Sequence, residues 1–252
     1  MKFLNVIFLF TSVILISSQA LADIHLLKND DYYCKKMLTG YTTYTEGYVN
    51  LEDFTVDAGL TIAEMQSELD KYVDHFNKSI DNHLETESVL CLGLYDDSKG
   101  PNAIAIGRSH IFFGVRLIKN LTLSNPSTAK DSISTILAHE FAHTLQNIRK
   151  ENYNYVLPLL STKIKELQAD CITGALANDF SQVTLKQFYD SLELFNKIGA
   201  QHYIGSHGMS AQRQAAFALG FTQSNQSLVP MNMRNTNYYF NICNQKEISS
   251  MN

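Results

Sequence analysis

The chain has 252 residues and a formal net charge of −5, and 45% of its residues are hydrophobic. This length suits one compact domain with a sizeable core. The acidic balance argues against nucleic acid or an anionic membrane surface as the partner.

The N-terminus has the pattern of a secretory signal peptide. Lys2 gives it a positive start, residues 3–16 are apolar but short for a membrane span, and residues 20–22 read Ala-Leu-Ala, a small-x-small cleavage site. We therefore predict a signal peptide over 1–22 and a single domain over 23–252 in an exported protein, either periplasmic or secreted. The alternative is an uncleaved N-terminal anchor. After cleavage we expect no stable membrane span.

All four cysteines lie beyond the predicted cleavage site. An even number in an exported protein permits two disulfides, with three possible connectivities. We expect Cys34 to pair with Cys243, tying the chain ends together, and Cys91 to pair with Cys171, tying a strand to a helix. The alternative is that these cysteines are buried free thiols.

Apolar periodicity and turn residues predict a mainly helical α+β domain. The order of predicted elements is a helix from about 61 to 82, strands over 88–95, 103–106 and 110–118 in a small antiparallel sheet, and helices over about 127–150, 159–178, 184–198 and 210–219. The strand nearest the helix over 127–150 is expected to expose an edge. An extended peptide can add to such an edge by main-chain hydrogen bonds.

The helix over 127–150 contains His-Glu-x-x-His within an apolar pattern of helical period. His139 and His143 are one turn apart and point the same way, so both imidazoles can bind one zinc ion. Glu140 lies about 100° around the helix, where it can act as a general base without binding the metal. The apolar flanks favour this interpretation over an exposed polar face, because burying unpaired polar groups is costly.

A catalytic zinc usually has three protein ligands and an open position. The best third candidate is Glu166 on the next predicted helix. Asp170 lies one turn later on the same face, where it can accept the free ring N–H of a ligand histidine. The alternative is that Glu166 and Asp170 are exposed beside Lys163 and Lys165.

Three segments resemble motifs of the bacterial neutral zinc metallopeptidase family. They read His-Glu-Phe-Ala-His-Thr-Leu-Gln at 139–146, Glu-Leu-Gln-Ala-Asp-Cys at 166–171 and His-Gly-Met-Ser-Ala-Gln-Arg at 207–213. The resemblance covers about residues 100–220. It implies a gluzincin-like domain in which the two catalytic helices pack on a small antiparallel sheet.

By this resemblance, His139, His143 and Glu166 bind one zinc ion per chain, Glu140 is the base and Asp170 supports a ligand from behind. The family usually has Gly at the position of Ala142, and its Cys-Pro-Ala-Asp element is absent from residues 101–110.

His207 and Arg213 match the His-x-x-x-x-x-Arg signature of related gluzincins, in which these residues lie near the active site. Either side chain is a candidate to stabilise the negative charge that develops opposite the metal. Their alternative roles are a helix-capping histidine and a surface arginine.

The expected function is that of a zinc metalloendopeptidase-like hydrolase. It would cleave a peptide or protein substrate with a zinc-activated water and Glu140 as the general base. Two competing functions stay open: an exported zinc-containing binding protein without proteolysis, and a zinc amidase that acts on cell-wall peptides. The sequence leaves the oligomeric state open.

Overall fold

The computed structural model describes residues 24–26, 67, 71–72, 74–75, 91–95, 103–108, 110–124, 127–152, 162–180, 187, 189–190, 193 and 208–250. The predicted signal peptide over 1–22, Cys34 and His207 lie outside these residues.

The strands are β1 (Ile24–Leu26), β2 (Cys91–Tyr95), β3 (Ala103–Ile106) and β4 (His110–Gly114). The helices are α1 (Val115–Ser124), α2 (Ala129–Asn152), α3 (Thr162–Phe180), α4 (Ser210–Asn225), α5 (Thr236–Ile242) and α6 (Gln245–Ser249), with a 3-10 turn at Met231–Met233. The expectation of a mainly helical α+β chain is confirmed for this part of the molecule. None of its helices combines the length and hydrophobicity that a membrane span requires.

The strands form one sheet in the order β1-β2-β4-β3. The pairing of β3 with β4 is antiparallel, as expected, and β1, where no strand was predicted, also pairs with β2 in antiparallel fashion. The central pairing of β2 with β4 is parallel, so the expectation of a wholly antiparallel sheet is wrong and the sheet is mixed. The turn between β3 and β4 contains Gly107, whose φ of 60° suits glycine. Among the strands that the structure describes, β3 lies at one edge of the sheet.

Helix α2 lies at the centre of the packing. It contacts both β3 and β4 on the sheet side, and also α1 and α3. Phe141 of α2 is fully buried and stacks on Tyr72 with a centroid separation of 5.2 Å. The side-chain amide of Asn147 donates to the Gly107 carbonyl at 2.8 Å, which fastens the β3–β4 turn to the helix.

Helices α3 and α4 meet backbone to backbone. A Cβ atom added to Gly174 would lie 2.0 Å from the Phe217 carbonyl oxygen, and one added to Gly220 would lie 1.8 Å from the Cys171 carbonyl oxygen. No larger residue fits at either position without separating the helices. The two glycines therefore allow a close crossing that brings side chains of α4 onto those of α3.

The disulfide connectivity differs from the expected one. Cys171 bonds to Cys243, with 5.8 Å between their Cα atoms, so the expected pairs Cys34–Cys243 and Cys91–Cys171 are wrong. The physical reason is the C-terminal segment, because α5 and α6 fold back against α3 and bring Cys243 to the buried face of that helix. No local pattern in the sequence predicts this packing.

Two other local differences concern element ends. The strand expected over 110–118 ends at Gly114, and α1 follows directly from Val115. The helix expected over 210–219 continues to Asn225. The helices expected over 127–150 and 159–178 are confirmed as α2 and α3, with bounds shifted by a few residues.

Candidate metal centre

Helices α2 and α3 bring three potential ligands together. The Nε2 atoms of His139 and His143 lie 3.1 Å apart. The carboxylate oxygens of Glu166 lie 3.4 Å from Nε2 of His139 and 3.5 Å from Nε2 of His143. These residues form the one group in the described part of the chain whose ligand atoms are close enough to share a metal ion.

The spacing of these ligand atoms suits a small divalent metal ion such as zinc. Bonds of about 2.0–2.1 Å at tetrahedral angles place neighbouring ligand atoms about 3.3 Å apart. Two nitrogens and one carboxylate oxygen are also ligands that zinc accepts. The side chains of His143 and Glu166 are 20% and 13% exposed, so the cluster is not sealed from solvent. The three side chains therefore have the donor atoms and the spacing to hold one divalent metal ion such as zinc.

A charged pair contacts His139 at Nδ1, the ring nitrogen that does not face the other two candidate ligands. Its Nδ1 lies 3.0 Å from Oδ1 of Asp170, whose side chain is fully buried. The Arg213 guanidinium of α4 donates to both oxygens of that carboxylate, with Nε–Oδ2 at 2.8 Å and Nη2–Oδ1 at 2.7 Å. Bidentate pairing of this kind fixes the plane of the carboxylate. Asp170 consequently directs Nε2 of His139 towards Glu166 and His143.

The charges in this group keep one another ionised. Burial alone would raise the pKa of Asp170, but Arg213 and then His139 hold it below its usual value. Burial acts to lower the pKa of His139, and the contacts with Asp170 and Glu166 outweigh it and raise that pKa to about 10. The neighbouring carboxylates therefore favour a positive charge at His139, and a bound cation would compete with the proton for this position.

His143 is supported from behind by a neutral side chain. Its Nδ1 lies 2.9 Å from Oε1 of Gln146, which follows it by three residues on α2. The same amide donates from Nε2 to the Lys165 carbonyl of α3 at 3.0 Å. Gln146 was not among the predicted site residues, although the i, i+3 spacing places it next to His143 on a helix.

Glu140 lies on α2 directly after the first ligand, and only 7% of its surface is exposed. Burial acts to lower the pKa of Arg213, and the neighbouring carboxylates outweigh it and raise that pKa. Asp170 has the largest raising effect, and the charges of Glu166 and Glu140 add to it. The carboxylate thus lies in the electrostatic neighbourhood of the cluster. It does not belong to the three-residue group itself.

The predicted site residues have distinct positions. His139, His143 and Glu166 are brought together, and Asp170 stands behind His139, as expected from the sequence. Arg213 is 3% exposed and its guanidinium is bound to Asp170, which is inconsistent with the alternative of a surface arginine. Its contact with a reacting group stays a prediction, as does that of His207.

Comparison with known proteins adds no family to this picture. No protein-family model, curated protein or solved structure matches the chain.

Proposed function

We propose that the protein is a zinc-dependent metallopeptidase that hydrolyses peptide bonds in a peptide or protein substrate. The observation that carries the proposal is the cluster of two imidazole nitrogens, 3.1 Å apart, with the Glu166 carboxylate. One Glu166 oxygen lies 3.4 Å from His139 and the other lies 3.5 Å from His143, and an additional buried carboxylate, Glu140, lies beside them. The resemblance of its motifs to those of bacterial neutral zinc metallopeptidases points to the same activity.

In this proposal each residue has a separate task. His139, His143 and Glu166 would hold zinc, which when bound polarises a carbonyl group and acidifies a water molecule. Glu140 takes a proton from the attacking water and delivers it to the leaving amine nitrogen. Asp170 and Arg213 keep His139 in place while this proton moves.

The sheet supports a peptide as the substrate. β3 lies at an edge in the observed strand order and contacts α2, the helix that carries His139 and His143. An edge strand offers unpaired main-chain groups to an extended peptide. This arrangement favours a polymeric substrate over a small molecule, and it is available equally to cell-wall peptides.

Export belongs to the proposal too. The signal-like N-terminus predicts it, and the Cys171–Cys243 disulfide is compatible with an oxidising compartment, where such bonds persist. A periplasmic or a secreted location satisfies both features.

The test is a digest of a peptide library by the wild-type protein, Glu140→Gln and His143→Ala, with the zinc content of each measured in parallel. We expect about one zinc per chain and cleavage for the wild type, as a three-ligand catalytic site requires. Glu140→Gln should keep its zinc and lose cleavage, whereas His143→Ala should lose both. Full activity of Glu140→Gln would show that the assigned base is wrong.

The same experiment separates the competing functions. A protein that holds zinc without cleaving any library peptide, and that cleaves isolated cell-wall peptides, would be the amidase. Zinc binding with neither activity would indicate a binding protein.

A further inference from the structure

A chain of amide hydrogen bonds runs from His143 to the C-terminal segment. Gln146 contacts Nδ1 of His143 and donates from its own Nε2 to Oε1 of Gln168 at 3.2 Å. Gln168 in turn donates to the main-chain carbonyl of Cys243 at 3.0 Å. Both glutamines are buried, at 7% and 3% exposure, so the bond between them and the bond to Cys243 are shielded from water.

The direction of this chain is fixed by its ends. The carbonyl groups of Cys243 and Lys165 can only accept hydrogen bonds. Gln168 must therefore turn its NH2 group to Cys243, and Gln146 must turn its NH2 group to Lys165 and Gln168. The amide oxygen of Gln146 is left facing His143, and an amide oxygen accepts only from a protonated ring nitrogen.

The ring of His143 is consequently held with its hydrogen on Nδ1. Its Nε2 is then the unprotonated nitrogen, and this atom faces Nε2 of His139 at 3.1 Å and the Glu166 carboxylate at 3.5 Å. A neutral imidazole that binds a metal must offer an unprotonated nitrogen, and the hydrogen bond at the other nitrogen selects which one.

We propose that Gln146 is the positioning residue for His143 in the metal site, and that Gln168 and the Cys243 carbonyl fix the orientation of Gln146. The inference rests on the proposed zinc site and adds how its second histidine is prepared. It also gives the C-terminal segment a function. The Cys243 carbonyl, at which the chain of hydrogen bonds ends, is held next to α3 by the Cys171–Cys243 disulfide.

The test uses the full-length protein and zinc itself as the probe. Zinc affinity is measured by competition with a chromogenic chelator, and the unfolding temperature is measured on the metal-free protein. The variants are Gln146→Met, Gln146→Glu and Gln168→Met. The matched control is Gln187→Met, which removes an amide that donates to Asp131 in the first turn of α2, away from the ligands.

Gln146→Met removes the acceptor at Nδ1, so we expect zinc binding to weaken by about 10–100-fold. Gln146→Glu keeps an acceptor at Nδ1 and should retain the wild-type zinc affinity to within about threefold. Its unfolding temperature should fall, because the new carboxylate faces the Lys165 carbonyl and cannot donate to it. Gln168→Met should have a smaller effect on affinity than Gln146→Met, because Lys165 still orients Gln146. Gln187→Met should bind zinc as the wild type does.

A purely structural role for Gln146 would produce a different order, with zinc affinity following the unfolding temperature across the variants. Unchanged affinity in Gln146→Met, or an equal loss in Gln146→Met and Gln146→Glu, would overturn the inference. Side-chain ¹⁵N spectra of the zinc-loaded wild type give a second test that needs no variant. They should show His143 protonated at Nδ1, and a proton on Nε2 would contradict the proposal.

The outcomes also distinguish this inference from the proposed function. A wild-type protein that binds no zinc would refute both. A wild-type protein that binds zinc and is indifferent to Gln146→Met would refute only the role of the amide chain.

Discussion

Helix α3 carries two buried aspartates, Asp170 and Asp179, and an arginine from farther along the chain is bound to each. Arg213 of α4 pairs with Asp170, and Arg234, which follows the 3-10 turn, pairs with Asp179. The remaining partners differ. Asp170 contacts His139, whereas Asp179 accepts hydrogen bonds from the hydroxyl groups of Ser224 and Tyr239.

The comparison shows that a buried ion pair alone does not mark a functional site. The Asp179 pair joins α3 to the end of α4 and to α5. The Asp179 carboxylate also accepts from the Asn178 amide, and a histidine, His75, contacts the main-chain carbonyl of Arg234 rather than the carboxylate, so these contacts belong to a structural network. The Asp170 pair has the same chemistry but contacts a histidine whose other nitrogen faces two further potential ligands. The group that contacts the aspartate besides its arginine therefore determines whether the ion pair orients a candidate metal ligand or only holds helices together.

The largest expected effects come from breaking each pair in turn. Asp170→Asn and Asp179→Asn each leave a buried guanidinium without its counter-charge, so each should lower the free energy of unfolding by about 3–5 kcal/mol. Only Asp170→Asn should also weaken zinc binding, by about 10–100-fold, because only Asp170 contacts a ligand histidine. Denaturant unfolding of the metal-free proteins and zinc titrations measure the two effects. Equal losses of zinc affinity in both variants would abolish the distinction.

The Cys171–Cys243 disulfide links the region of the Asp170 pair to the region of the Asp179 pair. Cys171 follows Asp170 directly on α3, and Cys243 ends the segment that carries Tyr239. The bond closes a loop with a sequence separation of 72, so the variant Cys171→Ala/Cys243→Ala should lose about 2–5 kcal/mol of unfolding free energy.

Peptide mapping under non-reducing conditions tests the connectivity itself. It should recover Cys171 linked to Cys243, and if all four cysteines are oxidised it should recover Cys34 linked to Cys91. A peptide that joins Cys91 to Cys171 would contradict the structure.

The smallest expected effect is that of Tyr239→Phe. Burial and the neighbouring Asp179 carboxylate raise the pKa of Tyr239 well above its ordinary value, so its hydroxyl remains a donor to Asp179. Removing this bond to a charged acceptor should cost about 1.5–3 kcal/mol of unfolding free energy. Zinc affinity should not change, and a large loss would place the Asp179 network in the site after all.

The candidate ligand residues could be predicted from the sequence because helical spacing is local. His139 and His143 are one turn apart, and Asp170 is one turn beyond Glu166, so the motif already fixes which side chains share a face. The two helices that carry them were predicted with nearly correct bounds for the same reason.

The contacts that hold the candidate ligands in place could not be predicted from the sequence in the same way. The pairing of Arg213 with Asp170 depends on the close crossing at Gly174 and Gly220, which no local pattern reveals. The Cys171–Cys243 bond depends on the fold of the C-terminal segment, whose polar sequence gave no helical period. Both are tertiary features, set by packing between elements distant in the sequence.

The most direct test of the account is anomalous diffraction at the zinc edge from crystals of the wild-type protein grown with zinc. We expect one peak within about 2.0–2.2 Å of Nε2 of His139, Nε2 of His143 and an oxygen of Glu166. The account would be contradicted by crystals without a peak at this position, or by a zinc ion there that Glu166 does not contact.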